Sequence, residues 1–279
     1  MDPEYWARDI DPNVPSAARM YDYFLGGSHN FEADREAARR VIEAMPQAPL
    51  IARANRSFLR RAVRFLVASG VRQFLDIGSG VPTVGNVHEI AQGLDPDARV
   101  VYVDIDPVAI SHAQQLLEGN TRATAIVADL RRPAELLDLL RRARTRAVLD
   151  LSRPVGLLMV SMLHFLPGEG TYRAAAALRD ALAPGSHVVV SHPVSDAIDA
   201  RAATEVEAVY RRTATPGGLR TRAEVQRFFD GYALVPPGLV WVPEWRPDDR
   251  ADNAADDDGE PGADPRRVGM VAGVGGKTG

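Results

Sequence analysis

Asp76, Asp104 and Asp129 each stand at the end of a short apolar run: Phe74-Leu75-Asp76-Ile77, Val100-Val101-Tyr102-Val103-Asp104 and Ile126-Val127-Ala128-Asp129. In an open α/β sheet the ligand sits beyond the carboxyl ends of the strands, so acids at those ends face it. Gly78-Ser79-Gly80 follows the first acid. Two glycines allow a tight turn and a close backbone approach. Alone, such a pair marks only a turn. Asp76 beside it changes the reading, because a carboxylate suits a ligand cation and repels a phosphate. Thr83 occupies the place of the third glycine of a dinucleotide fingerprint, after Pro82. Pyrophosphate binding at a helix N-terminus is therefore disfavoured. Asp104 lies 24 residues after Gly80, where an acid can accept from both hydroxyls of a ribose. Asp106, followed by Pro107, is better placed to cap the next helix. Asp129 can accept from an exocyclic amine such as that of adenine, or serve as a turn residue. The three acids together read as seats for an ammonium, a ribose and an adenine.

Proton-transfer groups are sparse. His164 and His192 follow the fourth and fifth apolar runs and are the candidate bases, although either can be a hydrogen-bonded structural histidine. There are no cysteines, which excludes disulfides, thiolate metal sites and a cysteine nucleophile. Lys277 is the single lysine, and no Tyr-x-x-x-Lys pair of a short-chain reductase exists. Near the N-terminus, Tyr21, Tyr23, Phe24 and Phe31 surround Gly26-Gly27, as in a glycine-hinged lid over a site or in simple packing. Arg19, Asn55 and Arg56 are possible partners for a ligand carboxylate. The expected binding set is Asp76, Gly78, Ser79, Gly80, Asp104, Ile105, Asp129, Leu130, Ser161, Tyr23 and Arg56, with no metal ligands.

These residues need elements to hold them. Residues 1–70 read as helices: Ser16 to about Leu25, about Glu32 to Ala44, and about Leu50 to Ser69 with Gly70 as its stop. Arg53, Arg56, Arg60 and Arg64 share one face of the third helix. From residue 72, apolar strands alternate with helices. Strands are expected at Gln73–Ile77, Arg99–Val103, Thr124–Ala128, Val155–Val160 and Ser186–Ser191, with a helix running from just after Gly80 to about Gln92. Continuous apolar strands separated by helices predict a mostly parallel sheet covered on both faces. Thr221 and Glu224 form a capping box. Leu239–Pro243 and Val268–Val274 are expected to pair as an antiparallel hairpin. The acidic stretch 248–265 between them reads as a disordered loop: residues 248–264 carry eight acids against Arg250, net −7, which leaves the rest of the chain at +3.

The acid trio with its glycine pair resembles the class I S-adenosylmethionine-dependent methyltransferases over about residues 72–247 and the final strand. Asp76, Gly78 and Gly80 match that family's first motif, Asp104 its ribose acid and Asp129 its adenine acid. Ala18–Arg35, Ala52–Leu66, Asn86–Gln92 and the runs QFLDIGSG, VYVDIDP and LRRPAELL are similar to a bacterial S-adenosyl methyltransferase family formerly classed as a domain of unknown function. The resemblance implies a Rossmann-like, seven-stranded α/β sheet, mostly parallel with a C-terminal antiparallel hairpin. It also implies a helical N-terminal lid (1–70) on a catalytic domain (71–279), and S-adenosylmethionine as cofactor. It names no methyl acceptor.

The 279 residues suit one enzyme-sized unit, and 46% hydrophobic with 25% charged residues is ordinary for a globular chain. The net charge of −4 does not suggest a polyanion-binding role. The segment after the fourth strand lacks the Asn/Asp-Pro-Pro-Tyr/Phe pattern of nucleobase amino-methyltransferases. A small-molecule acceptor is the expected partner, with no nucleic acid and no membrane. With no apolar N-terminal leader, a cytoplasmic location is the expectation. The rivals are a cofactor-binding domain without turnover and a nicotinamide-dependent reductase.

Overall fold

The computed structural model describes residues 11–83, 85–213, 215–247 and 264–278. Five strands lie parallel: β1 (Gln73–Ile77), β2 (Arg99–Asp104), β3 (Ala123–Val127), β4 (Gly156–Val160) and β5 (His187–Pro193). Across the sheet the order is β3-β2-β1-β4-β5, then β8 (Met270–Gly276), antiparallel to β5. The outer edge of β8 is filled by two short strands in succession, β6 (Ala233–Leu234) and β7 (Val240–Trp241). The sheet is thus seven positions wide but has eight strands. β6 was not expected, because two residues cannot show an alternation. The β7–β8 pairing is antiparallel as expected. The last strand begins at Met270 because Pro265–Val268 forms a 3-10 turn ending in left-handed Gly269.

Alternate residues of the strands feed two cores. Phe74, Val100, Tyr102 and Leu158 join one with Phe58, Ala62 and Leu66; Leu75, Val101, Val103, Leu157 and Met159 join the other with Leu136 and Leu178. This alternation is the two-residue period of a pleated strand, and burial on both faces explains why the strands read as continuous apolar runs. The helices are α1 (Ala17–Phe24), α2 (Glu32–Ala44), α3 (Ala48–Ala68), α4 (Val87–Leu94), α5 (Pro107–Leu116), α6 (Pro133–Arg141), α7 (Ala143–Arg146), α8 (Gly170–Asp180), α9 (Ala200–Tyr210) and α10 (Arg222–Gln226). The Thr221–Glu224 capping box opens α10 as predicted. Among the described residues no helix is long and apolar enough to cross a membrane. The acidic stretch falls, apart from Asp264 and Pro265, outside the described residues.

One local reading changes. The helix expected directly after Gly80 begins only at Val87, capped by Asn86 with Glu89. Pro82 and left-handed Gly85 hold the intervening residues out of the helix. α3 supplies Phe58, Leu59, Ala62, Val63 and Leu66 to the main core, whereas α1 and α2 form a small cluster of Met20, Phe24, Ala38 and Val41 against α9.

Candidate cofactor site

β1 lies between β2 and β4, so the strand order reverses beside it and a crevice opens above its carboxyl end. A cavity of about 400 Å³ fills this crevice. Asp76, Gly78, Ser79, Gly80, Asp104, Ile105, Asp129, Leu130, Ser161 and Arg56 line it, so ten of the eleven expected binding residues meet in one place. Tyr23 does not line it, and Tyr21, two residues earlier and on the opposite side of the helix, does. A helix shows only one side to the cavity, and the aromatic spacing of Tyr21-Asp22-Tyr23 does not say which.

Asp76 is buried yet accepts no hydrogen bond from any described residue. Burial pushes its pKa up to about 7; the Arg56 charge pulls it down and the Asp104 charge pushes it up. A carboxylate buried without a partner is costly, and a ligand cation removes that cost. Asp104 differs. Its Oδ2 accepts from Gly80 N at 2.7 Å and its Oδ1 from Asp106 N at 2.8 Å. Burial raises its pKa to about 6, against the pull of these bonds. Each oxygen retains a lone-pair position for a further donor. The bond to Gly80 also ties the glycine turn to β2.

Gly78 and Gly80 both have positive φ, 70° and 68°. A Cβ on Gly78 would lie 2.6 Å from the Met162 Cβ, so this glycine is required both by backbone conformation and by a close neighbour. Ile105, 39% exposed, and buried Leu130 give the cavity an apolar slot beside Asp129. Asp129 itself is clasped by Arg131, whose Nε lies 2.9 and 2.8 Å from Oδ1 and Oδ2 and whose Nη2 lies 2.8 Å from Oδ2. Burial raises the Asp129 pKa, but the Arg131 hydrogen bonds and charge outweigh it and the net direction is down.

Several sequence readings are corrected by the contacts. Ser16 starts α1 without capping it; its hydroxyl donates to Asp106 Oδ2 at 2.5 Å. Arg19 reaches the cavity wall, but its Nε binds Asp34 (2.8 Å), its Nη1 Asp106 (3.1 Å) and its Nη2 the Val14 carbonyl (2.8 Å). It is a strut between α1, α2 and the start of α5, not a partner for a ligand carboxylate. Asn55 is likewise committed, accepting from Ser191 Oγ at 2.6 Å and donating to Tyr21 Oη at 2.9 Å. Arg56 donates to the Gly85 carbonyl at 2.7 Å and stays at the cavity beside Asp76.

Neither candidate base lines the cavity. His192 is fully buried, and Arg220 Nη1 donates to its Nε2 at 3.0 Å. An arginine cannot accept, so Nε2 is bare and Nδ1–H donates to the Pro193 carbonyl at 2.6 Å. Burial lowers its pKa to about 4. His164 packs beside it at 5.7 Å between ring centroids, and burial drives its pKa well down. Arg220 also donates to the carbonyls of Leu163 (2.9 Å) and Leu166 (2.7 Å). Arg220, seated on His192, thus braces the turn 163–166, whose Phe165 and Leu166 do face the cavity, while His164 Nδ1 is buried without a hydrogen-bond partner among the described residues. Strand-end position was the only sequence signal for these histidines, and it does not separate a base from a brace. Thr215, Leu166 and Met162 are lining residues that carried no sequence signal.

The profile of the S-adenosyl methyltransferase family matches residues 3–278. The chain is similar to a candidate methyltransferase from Thermobifida fusca YX, with 39% identity, 96% of each chain covered and a TM-score of 0.85. It is also similar to a DUF574 family protein from Streptomyces avermitilis MA-4680, with 37% identity, 96% and 99% coverage and a TM-score of 0.86. An O-methyltransferase family protein from Burkholderia thailandensis shares the fold alone, at 11% identity, with 99% and 68% coverage and a TM-score of 0.51. No curated protein matches. With its acids, glycine turn and cavity in one crevice, this chain belongs to the S-adenosyl methyltransferase family and is an enzyme that uses S-adenosylmethionine.

Proposed function

We propose that this bacterial, cytoplasmic methyltransferase holds the amino-acid end of its cofactor at Asp76, the ribose at Asp104 and the adenine in the Ile105–Leu130 slot, and methylates a small molecule. The observation that carries this reading is Asp76: a buried carboxylate on the cavity wall without a hydrogen-bond partner among the described residues. It fits an ammonium and would repel a phosphate. When bound there, the cofactor supplies an electrophilic methyl group on a good leaving group. The protein's part is alignment and exclusion of water. Gly80 and Asp106 fix the Asp104 carboxylate, while α1 and the turn 163–166 wall the crevice. Asp129 joins the adenine end only if Arg131 shares its oxygens.

The acceptor end is bordered by Tyr21, Met162, Phe165, Leu166 and Thr215. Among the described residues no histidine stands there, so the fitting acceptor presents an atom that is already a nucleophile without proton removal, such as a carboxylate or an enolate. The net charge of −4 supports a small molecule over a nucleic acid. Residues 1–70 and 71–279 are proposed as lid and catalytic domain, with α3 serving both. Calorimetry with S-adenosylmethionine and with NADH, then a screen of metabolite extracts for labelled-methyl incorporation, tests the reading. Binding of the first and label in a low-molecular-mass product are expected. NADH binding, or label only in macromolecules, overturns it.

A further inference from the structure

Ser161 directly follows β4 with φ of 52°, a left-handed conformation that a non-glycine residue adopts only when its surroundings enforce it. It lines the cavity, and the next residue, Met162, is the side chain against which Gly78 packs. A chain of hydrogen bonds reaches this residue from the helical N-terminus. Ser161 N is shared between the Ser191 carbonyl at 3.2 Å and Ser191 Oγ at 2.9 Å, the shorter of the two; Ser191 Oγ donates to Asn55 Oδ1 at 2.6 Å, Asn55 Nδ2 donates to Tyr21 Oη at 2.9 Å, and Tyr21 Oη donates to the Ala52 carbonyl at 3.0 Å. Both ends are backbone groups with fixed roles, an amide that only donates and a carbonyl that only accepts. Only this direction of the Asn55 amide satisfies every member. Ser191 is fully buried and Asn55 nearly so, so water does not replace a lost link.

We propose that Asn55 is a positioning residue that, through Ser191, holds Ser161 in its left-handed turn and thereby seats Met162 against the glycine loop of the cofactor site. This rests on the reading of the cavity as the S-adenosylmethionine site. The chain joins α1 and α3 to the ends of β4 and β5, so docking of the N-terminal helices and the shape of the glycine loop are set together. A glycine at 161 would adopt the same φ without enforcement and would make the brace dispensable.

The probe is S-adenosylhomocysteine, measured by calorimetry on the full chain. Asn55→Ala is expected to weaken binding about tenfold, and Asn55→Ala/Ser161→Gly to recover most of that loss. A merely destabilising Asn55→Ala is not mended by a glycine at 161, so no recovery overturns the proposal. Should Asn55→Ala fail to fold, Ser191→Ala cuts the same link with less loss of packing and carries the same expectation with Ser161→Gly. Amide exchange of Ser161 reads the brace without ligand: at least tenfold faster exchange in Asn55→Ala or Ser191→Ala supports it, and unchanged exchange overturns it. If the wild-type chain binds no S-adenosylhomocysteine, the functional reading falls, and the exchange measurement still decides the brace.

Discussion

At the scale of single residues, the two central acids do different work because one is satisfied by the backbone and the other is not. Asp76 has a pKa of about 7, so it gains and loses its proton near neutrality. A protonated Asp76 cannot attract an ammonium. Affinity for S-adenosylmethionine should therefore rise as pH goes from 5.5 to about 8, and Asp76→Asn should flatten that profile while weakening binding at pH 8 by about tenfold or more. Calorimetry across that range checks both. The same shift has a consequence for stability. The folded state prefers the protonated acid, so the stability it adds is full below the unfolded value of roughly 4 and is lost as pH rises through about 7. Without ligand at pH 8, Asp76→Asn should melt about 2–5 °C above the wild type, and a lower melting temperature would contradict the buried, unpaired carboxylate. Asp104→Ala should cost about 1–3 kcal/mol of cofactor binding, because the glycine turn loses its acceptor and the ribose loses its partner. Unchanged affinity would remove Asp104 from that role. Asp76, Asp104 and the glycine pair were legible because strand ends and tight turns are local features. That Asp129 is held by Arg131 two residues on was not legible, since an acid in a turn looks the same whether clasped or open.

At the scale of elements, Arg19 ties α1 to α2 and to the loop after β2, beside the apolar cluster of Met20 and Phe24. Arg19 is 4% exposed and sits between Asp34 and Asp106. Removing it takes the counter-charge from two buried carboxylates, which keep only their bonds to Ser16, Phe31 and Val108, so Arg19→Ala should destabilise the protein by about 3 kcal/mol in chemical denaturation, and Arg19→Lys should not restore the loss because three separate acceptors need a planar fork. A loss within 1 kcal/mol would show that α1 docks by its apolar side instead. Most elements were predicted to within two residues from periodicity and stop signals. The failures have physical causes. α4 starts late because Pro82 and Gly85 interrupt the backbone, and β6 is too short for any pattern. Arg19 looked like a ligand partner because the carboxylates that occupy it come from α2 and from the loop after β2.

At the scale of the whole molecule, the crevice is assembled from seven segments that lie apart in sequence: α1, α3, the ends of β1, β2, β3 and β4, and Thr215 after α9. A ligand that bridges them should stabilise the fold as a unit. At S-adenosylmethionine concentrations about 100 times Kd, the gain is about 2.7 kcal/mol, or roughly 5–10 °C in a thermal melt. NADH should give no shift, because Thr83 and the late start of α4 leave no helix N-terminus behind the glycine turn. A shift with NADH and none with S-adenosylmethionine would reverse the assignment.

By itself the sequence determined the α/β alternation, the positions of the three acids and the glycine turn, and the absence of cysteine or lysine chemistry. These follow from local periodicity, turn chemistry and composition, each contained within a few consecutive residues. The tertiary structure alone decided which polar groups are free to act. Arg19, Asn55 and His192 found their partners inside the protein and Asp76 became the unpartnered carboxylate, because hydrogen-bond satisfaction of a buried group depends on partners brought from elsewhere in the chain.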